Sequence, residues 1–530
     1  MMHSWTQFFR RIPRVMWLAA VLIVLYFSSR FFALNALPVF ADEAIYIRWA
    51  QLIFEDSKYL FFSVNDGKPP LFIWALLPAL NLLPDPVFAG RAVSILIGAL
   101  QLGVLWLILR NLKASKVAHY ASSAILLLAP FWFFHQRMAL MDGLLTLGIS
   151  VAWLGLMQLD QLKLTIQPQS LFSKSTLSAI ALTGLGWGVA LWTKTPALFF
   201  APVFALWALG SEDLWHKRFA PTILLPRLLV FGAAGALGLA IFALLRLAPA
   251  FGSLFGRSTD FTYTFAELLQ GEWRWSINNF PKVLSWLSTY MRPELLSLSL
   301  FSLLFSEKKW LQAKILLSAF IWAFPLLLLG KVLHARYFLP MAPFITVSAA
   351  LFFAEVWEIL KKYRDNLYII GTFFLIILFF LIGCLRFIFF SYFSPSMTPF
   401  VLDDRVQYLT EWSSGHGIPE VRDLLLERSR QGLRTTVVTE GSFGTLPDGL
   451  LLYFDRRPEI ANLRIEGLAQ YPVKFIPEWV RIEAATTETW LIVNSHRLDL
   501  NPETDGLELI ARYPRPYGAP DLQVYRIQPE

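Results

Sequence analysis

The chain is 530 residues long, 56% hydrophobic and only 16% charged, with a mean hydropathy of +0.52. Soluble domains carry about a quarter charged residues, so this composition points to the membrane and excludes disordered, collagen-like and coiled-coil classes. The net charge of +8 is unevenly spread: the first 394 residues hold 32 basic and 18 acidic side chains, whereas residues 395–530 hold 14 and 20. A basic membrane part therefore precedes an acidic soluble part. The single cysteine, Cys384, excludes an internal disulfide.

A spanning helix takes about 20 mostly apolar residues. Hydropathy predicts about eleven such segments, near 15–34, 86–109, 117–134, 141–160, 177–194, 196–210, 227–248, 290–305, 313–330, 338–357 and 367–390. The segments 196–210 and 290–305 are short, which leaves a count of about ten to thirteen open. Arg10, Arg11 and Arg14 ahead of the first segment place the amino terminus in the cytoplasm. That segment is long for a signal peptide and no A-x-A site follows it, so it reads as an uncleaved anchor. Alternate short turns then carry Arg110, Lys113 and Lys116; Lys163 and Lys174; Lys217, Arg218 and Arg227; Lys308, Lys309 and Lys314; and Lys361, Lys362 and Arg364. This is the positive-inside pattern, and with an odd span count it puts the carboxyl-terminal part outside.

The outward loops concentrate the polar chemistry. The first, residues 35–85, contains the amphipathic run Asp42-Glu43-Ala44-Ile45-Tyr46-Ile47-Arg48-Trp49-Ala50, which predicts an interfacial helix. Lys68-Pro69-Pro70 opens a second apolar stretch to Leu83, too short to span. A later loop, 249–289, carries Arg257, Asp260, Tyr263, Glu267, Glu272, Trp273, Arg274 and Trp275. Shorter outward turns present His135, Arg137 and Asp142, then Lys194, then Lys331, His334, Arg336 and Tyr337. Charges at the edges of spans are costly unless they face a polar cavity or one another. One shared cavity at the outer face would satisfy Asp42, Glu43, Lys68, Asp142, Lys194, His334 and Arg336 together. Read one at a time, the same residues fit blander roles: helix-dipole acids for Asp42 and Glu43, a snorkelling anchor for Lys68, headgroup contacts for His334 and Arg336.

Taken in order, these pieces resemble a known pattern. An outward Asp-Glu follows one long span; K-P-P-L-F-I-W comes next, then R-x-x-x-x-D from Arg137 to Asp142, then Trp192-Thr193-Lys194-Thr195-Pro196, then His334-Ala335-Arg336-Tyr337-Phe338-Leu339-Pro340. The order is similar to that of the GT-C membrane glycosyltransferases, specifically glycosyltransferase family 39, over residues 15–345. That group includes the protein O-mannosyltransferases and stands close to the lipid A aminoarabinose transferases. The resemblance implies transfer of a sugar from a polyprenyl-phosphate carrier to a lipid, protein or glycan acceptor hydroxyl at the outer face, with inversion. It implies Asp42 as the base and Glu43 as a group positioning Asp42 or the sugar. It also implies Lys68 and Arg336 on the carrier phosphate, with Asp142, Arg137, His334, Tyr337 and Lys194 around the substrate pocket. Two positions depart from the aminoarabinose enzymes: Gly67 replaces an acid, with Asp66 one place earlier, and Ile45 replaces an arginine. Both argue against the same sugar. The chemistry suits the residues, because a departing phosphate needs fixed cations and a hydroxyl nucleophile needs a base. No spacing of His, Asp or Glu demands a metal, no organic cofactor or nucleic acid is implied, and a divalent cation is left open.

Residues 395–530 predict a small extracytoplasmic α/β domain capping the active face. Val421–Gly432 has helical spacing, and Thr435–Thr439, Trp490–Asn494, Leu507–Tyr513 and Leu522–Ile527 alternate like strands. Gly441-Ser442-Phe443-Gly444-Thr445 follows the first strand but lacks the lysine of a phosphate loop. The fold expectation is thus a polytopic α-helical membrane protein of GT-C type in residues 1–394, followed by a soluble α/β domain, in a bacterial or archaeal plasma membrane. A multi-span transporter or lipid flippase is the competing function, and a catalytically dead scaffold the third. No inverted repeat is found, and the charges gather on one face rather than at mid-bilayer, which favours the enzyme.

Overall fold

The computed structural model describes residues 14–217, 219–363, 365–455 and 462–529. Arg10, Arg11, Arg218 and Arg364, used above in the charge pattern, lie outside the described residues. Among the described residues seven helices are long and apolar enough to cross a membrane: Pro86–Asn111, Met141–Gln161, Lys174–Thr193, Pro221–Leu247, Lys309–Leu329, Ala335–Lys362 and Leu367–Phe393. The other four predicted spans are also helical but shorter. Ala19–Phe31, Thr195–Leu209 and Pro293–Phe305 are short apolar helices. Lys116–Leu128 stops before Pro130 and resumes as Pro130–His135, because proline pushes the residue ahead of it, Ala129, into an extended conformation.

The central helices approach closely because their contact faces are small. A methyl group placed on Gly148 or Gly186 would run into the backbone of the facing helix. This is the packing expected where no water drives helices together. It brings the starts of Met141–Gln161 and of the Thr195–Leu209 helix side by side, and with them Asp142 and Lys194.

The first long loop folds into three short helices: Ala41–Glu55, the 3-10 turn Ser57–Asp66, and Leu71–Leu82. At about 1.5 Å per residue the last is roughly 18 Å long, short of a bilayer core of about 30 Å. Gly67 closes the 3-10 turn in a left-handed conformation at φ 75°. An acid with a side chain would be strained there, so the departure at Gly67 has a backbone reason.

The carboxyl-terminal domain is a five-stranded mixed sheet, order β2-β1-β3-β5-β4. Its strands are β1 Thr435–Thr439, β2 Leu463–Gly467, β3 Glu488–Asn494, β4 Leu507–Tyr513 and β5 Leu522–Ile527. β1 pairs parallel with β2 and β3, while β5 runs antiparallel to both β3 and β4. The predicted helix appears as Ile418–Arg430. β2 was not predicted: Leu-Arg-Ile-Glu-Gly at the sheet edge is partly exposed on both faces and ends in glycine, which hides its alternation. The domain sits directly on the Ala41–Glu55 helix. Phe40 bridges to Ser414, the Ala41 N–H donates to the Ser413 carbonyl at 3.0 Å, and Gln51 Nε2 donates to the Leu452 carbonyl at 2.8 Å.

Candidate active site

The site begins with two adjacent acids of opposite fate. Both lie in the first turn of the Ala41–Glu55 helix, where the helix dipole favours negative charge. Glu43 points inward and its side chain is 0% exposed. Arg91, from Pro86–Asn111, donates to both of its oxygens at 2.9 and 2.7 Å. The backbone N–H groups of Ala139 and Phe40 complete its shell at 2.7 and 3.1 Å. Arg91 also donates to the carbonyls of Leu34, Leu37 and Pro38. Glu43 therefore anchors the helix to the first spans, and its oxygens are taken up by this shell.

Asp42 turns the other way, with its side chain 24% exposed. Its carboxylate accepts from Arg336 at 2.8 Å across 294 positions of sequence. Burial alone would raise its pKa, but Arg336 and then Lys68 and Lys194 overcome this and hold it below the usual carboxylate range. Lys68 follows the Gly67 turn, bonds Asp66 at 2.6 Å, and lies 5.1 Å from the Trp49 ring centroid and 5.6 Å from that of Tyr46. The carboxylate beside Lys68 thus comes from Asp66, which also receives Arg257 from the 249–289 loop. Asp142 opens Met141–Gln161, is almost fully buried, and pairs with Lys194 at 2.7 Å. Lys194 in turn lies 4.2 Å above the Tyr337 ring.

These groups surround a cavity of about 320 Å³. Charged side chains from Asp66, Lys68, Asp142, Lys194 and Arg257 stand at its wall, with Tyr337. The rest is apolar, including Leu198, Phe199, Phe255, Phe261, Trp322 and Leu333. Cations beside an oily wall suit a ligand with an anionic head and a hydrocarbon tail. Asp42, Arg336 and His334 stand next to this wall, linked to it through Tyr337: the His334 and Tyr337 rings are 5.2 Å apart, and the Arg336 guanidinium is 5.5 Å from the Tyr337 centroid.

The structure thus brings together Asp42, Lys68, Asp142, Lys194, His334, Arg336 and Tyr337. It does not bring Arg137 to them. That guanidinium donates to the carbonyls of Ser29, Arg30, Phe32 and Ala33, capping the end of the Arg14–Phe31 helix. Arg336, grouped by sequence with the carrier phosphate, has one terminal nitrogen on Asp42 and the other on Gln407 Oε1 at 2.9 Å. Arg257 was noted only as part of a loop, yet it lines the cavity. Gln407 was not noticed at all; an uncharged residue in a soluble segment carries no sequence signal of its partners. Among the described residues no cluster of three or more His, Cys, Asp or Glu groups could hold a metal ion.

The fold recurs in solved structures. ArnT from Cupriavidus metallidurans, in its apo state, matches with a TM-score of 0.54 at 15% identity, over 97% of this chain and 99% of that one. The same enzyme bound to undecaprenyl phosphate matches equally. The Archaeoglobus fulgidus oligosaccharyltransferase in its apo form matches with a TM-score of 0.51 at 11% identity, over 91% of this chain and 70% of that one. The sequence profile of the dolichyl-phosphate-mannose-protein mannosyltransferase family matches residues 65–251. The chain therefore shares the fold of these enzymes, which is the GT-C fold. The profile covers Lys68, Asp142 and Lys194 of the site, while Asp42 lies before it and His334 and Arg336 after it. No curated protein matches the chain in sequence.

Proposed function

We propose that the protein transfers a sugar from a polyprenyl-phosphate carrier to an acceptor hydroxyl at the outer face of a plasma membrane. The carrying observation is one carboxylate, Asp42, held ionised by Arg336 beside an apolar cavity whose wall bears Lys68, Lys194 and Arg257. The known binding of undecaprenyl phosphate by ArnT, which shares the fold, supports the choice of carrier.

In this reading the isoprenoid lies along the apolar wall. Its phosphate is seated by Lys68, Lys194 and Arg257, a reassignment from Arg336, whose fork is already committed to Asp42 and Gln407. The acceptor oxygen attacks the anomeric carbon and forms the new C–O bond. The bond from that carbon to the phosphate oxygen breaks, its electron pair leaving with the phosphate, where the cations stabilise the growing charge. The acceptor hydroxyl gives its proton to Asp42. A single displacement without a second nucleophilic carboxylate inverts the anomeric centre. The amino terminus is cytoplasmic and the sheet domain extracytoplasmic in this scheme. The charges that line the cavity gather at one end of the helices rather than at mid-bilayer, which supports an enzyme over a transporter.

The test is direct. The purified protein in lipid, given radiolabelled polyprenyl-phosphate sugar and an extract of lipid, protein and glycan acceptors, is expected to yield a labelled covalent product. Movement of the carrier between leaflets without any labelled product would instead establish a flippase.

A further inference from the structure

The mechanism leaves Gln407 without a role, although this side chain of the soluble segment is bonded to two site residues. It belongs to the turn Val406–Thr410, which follows the helix Leu402–Arg405. The segment is clamped where it meets the membrane part. Asp403 takes Lys282 at 2.8 Å and the Trp286 indole N–H at 3.2 Å; Asp404 takes the Tyr290 hydroxyl at 2.5 Å. The Tyr408 ring packs 4.8 Å from that of Phe40, the residue that begins the Asp42 helix. A residue held this firmly on both flanks can orient what it touches.

Donor and acceptor rules settle how Gln407 is used. Arg336 can only donate, so the amide atom facing it, 2.9 Å away, must be the oxygen. The NH2 group then faces His334 Nδ1 at 2.6 Å. An amide nitrogen can only donate, so Nδ1 must carry a lone pair. Arg336 therefore donates both to Asp42 and to Gln407, and Gln407 donates on to His334, so the donor of each bond in this chain is assigned.

We propose that Gln407, supplied by the soluble domain, is a positioning residue that holds Arg336 against Asp42 and locks His334 as the neutral tautomer protonated on Nε2. This rests on the glycosyl-transfer reading for its catalytic consequence, but not for its geometry. The consequence is that His334 serves as an uncharged N–H donor at the edge of the cavity, next to Tyr337, and neither as a base nor as an imidazolium. Its surroundings agree. Burial lowers its pKa to about 3, with Arg336, Lys194 and Lys282 adding to the effect and Asp42 opposing it, while Tyr337 packs on the ring. It also gives the soluble domain a function: without it, neither Arg336 nor His334 would be held in register with Asp42.

The experiment uses the full chain in lipid nanodiscs with 15N-labelled histidine. The chain has seven histidines, and His334→Gln identifies the signal by its loss. The expected wild-type spectrum shows His334 neutral, with Nε2 protonated and Nδ1 bare, from about pH 5 to 8. In Gln407→Glu the new carboxylate accepts from both neighbours, so His334 should gain a proton on Nδ1. A wild-type proton on Nδ1, or an unchanged His334 signal in Gln407→Glu, overturns the proposal. Should that variant not fold, the wild-type spectrum alone decides. Kinetically, Gln407→Ala is expected to lower kcat about tenfold, the factor for one ordinary hydrogen bond, with KM for the polyprenyl-phosphate sugar unchanged. A change confined to KM would argue against positioning. If the wild-type protein transfers no sugar, the functional reading fails while the histidine spectrum still tests this one.

Discussion

The helix Met141–Gln161 carries an acid near each end, and the two ends behave differently. Asp142 at its start pairs with Lys194, whose side chain stays 19% exposed, and both stand at the cavity wall. Asp160 at its other end accepts from Arg227 and Lys314, each at 2.5 Å, and both cations are almost fully buried. Arg227 also donates to the carbonyls of Trp207 and Ala208, and Lys314 lies 4.4 Å over the Trp207 ring. The Asp160 cluster is closed on itself. The cluster around Asp142 and Asp42 leaves charge facing a space. Ion pairs of similar length thus do different work, and what separates them is whether a ligand-sized cavity adjoins.

That contrast can be broken or sharpened by substitution. The largest expected effect is on Asp42→Asn, which should cut transfer by about 10²–10⁴-fold, the usual contribution of a general base, while the thermal unfolding midpoint stays put. Near-normal product formation would remove Asp42 from the role. Asp160→Ala should do the reverse. Stranding Arg227 and Lys314 without their acid should cost about 3–5 kcal/mol of stability, read by denaturation in detergent, with turnover per folded molecule preserved. Glu43→Ala, which strands Arg91, should fall on the same side as Asp160→Ala in stability, with a secondary loss of activity as Asp42 loses its anchor.

A smaller effect is expected from Lys194→Ala, which should raise KM for the polyprenyl-phosphate donor about tenfold, with some loss of stability because it leaves the buried Asp142 without its cation. The smallest concerns pH. Asp42 acts ionised and its pKa lies below the usual range, so activity should persist as pH falls through about 4 and be lost only below it. Arg336→Gln removes the main cation, leaving burial to raise the Asp42 pKa. The acid limb of the pH–rate profile should then move upward. An unmoved limb would show that another group controls it.

Much of the site could be read from the chain alone. Hydropathy, loop order and resemblance group Asp42, Glu43, Lys68, Asp142, Lys194, His334 and Arg336; six of them converge, while Glu43 turns inward onto Arg91. Hydropathy detects each span from its own residues, so helix positions were legible without knowing any partner. It could not tell a solvated lysine from a paired one: Arg227 and Lys314 were counted as basic turn residues, yet they are buried on Asp160. Nor could it separate Asp42 from Glu43, neighbours with the same charge whose side chains leave the helix in different directions. The position of Arg137 was not legible for a related reason. A cation before an outward helix start looks the same whether it faces a ligand or caps a helix end.

By itself, then, the amino-acid sequence determined which stretches form apolar helices, where the polar loops fall between them, and that an acidic α/β domain follows. Those properties are sums over neighbouring residues. The tertiary structure alone decided which charge meets which: Arg336 with Asp42, Arg91 with Glu43, Arg257 with Asp66, Gln407 with His334. Each of these contacts joins residues tens to hundreds of positions apart, and their energy depends on distance and burial, which only the folded chain defines.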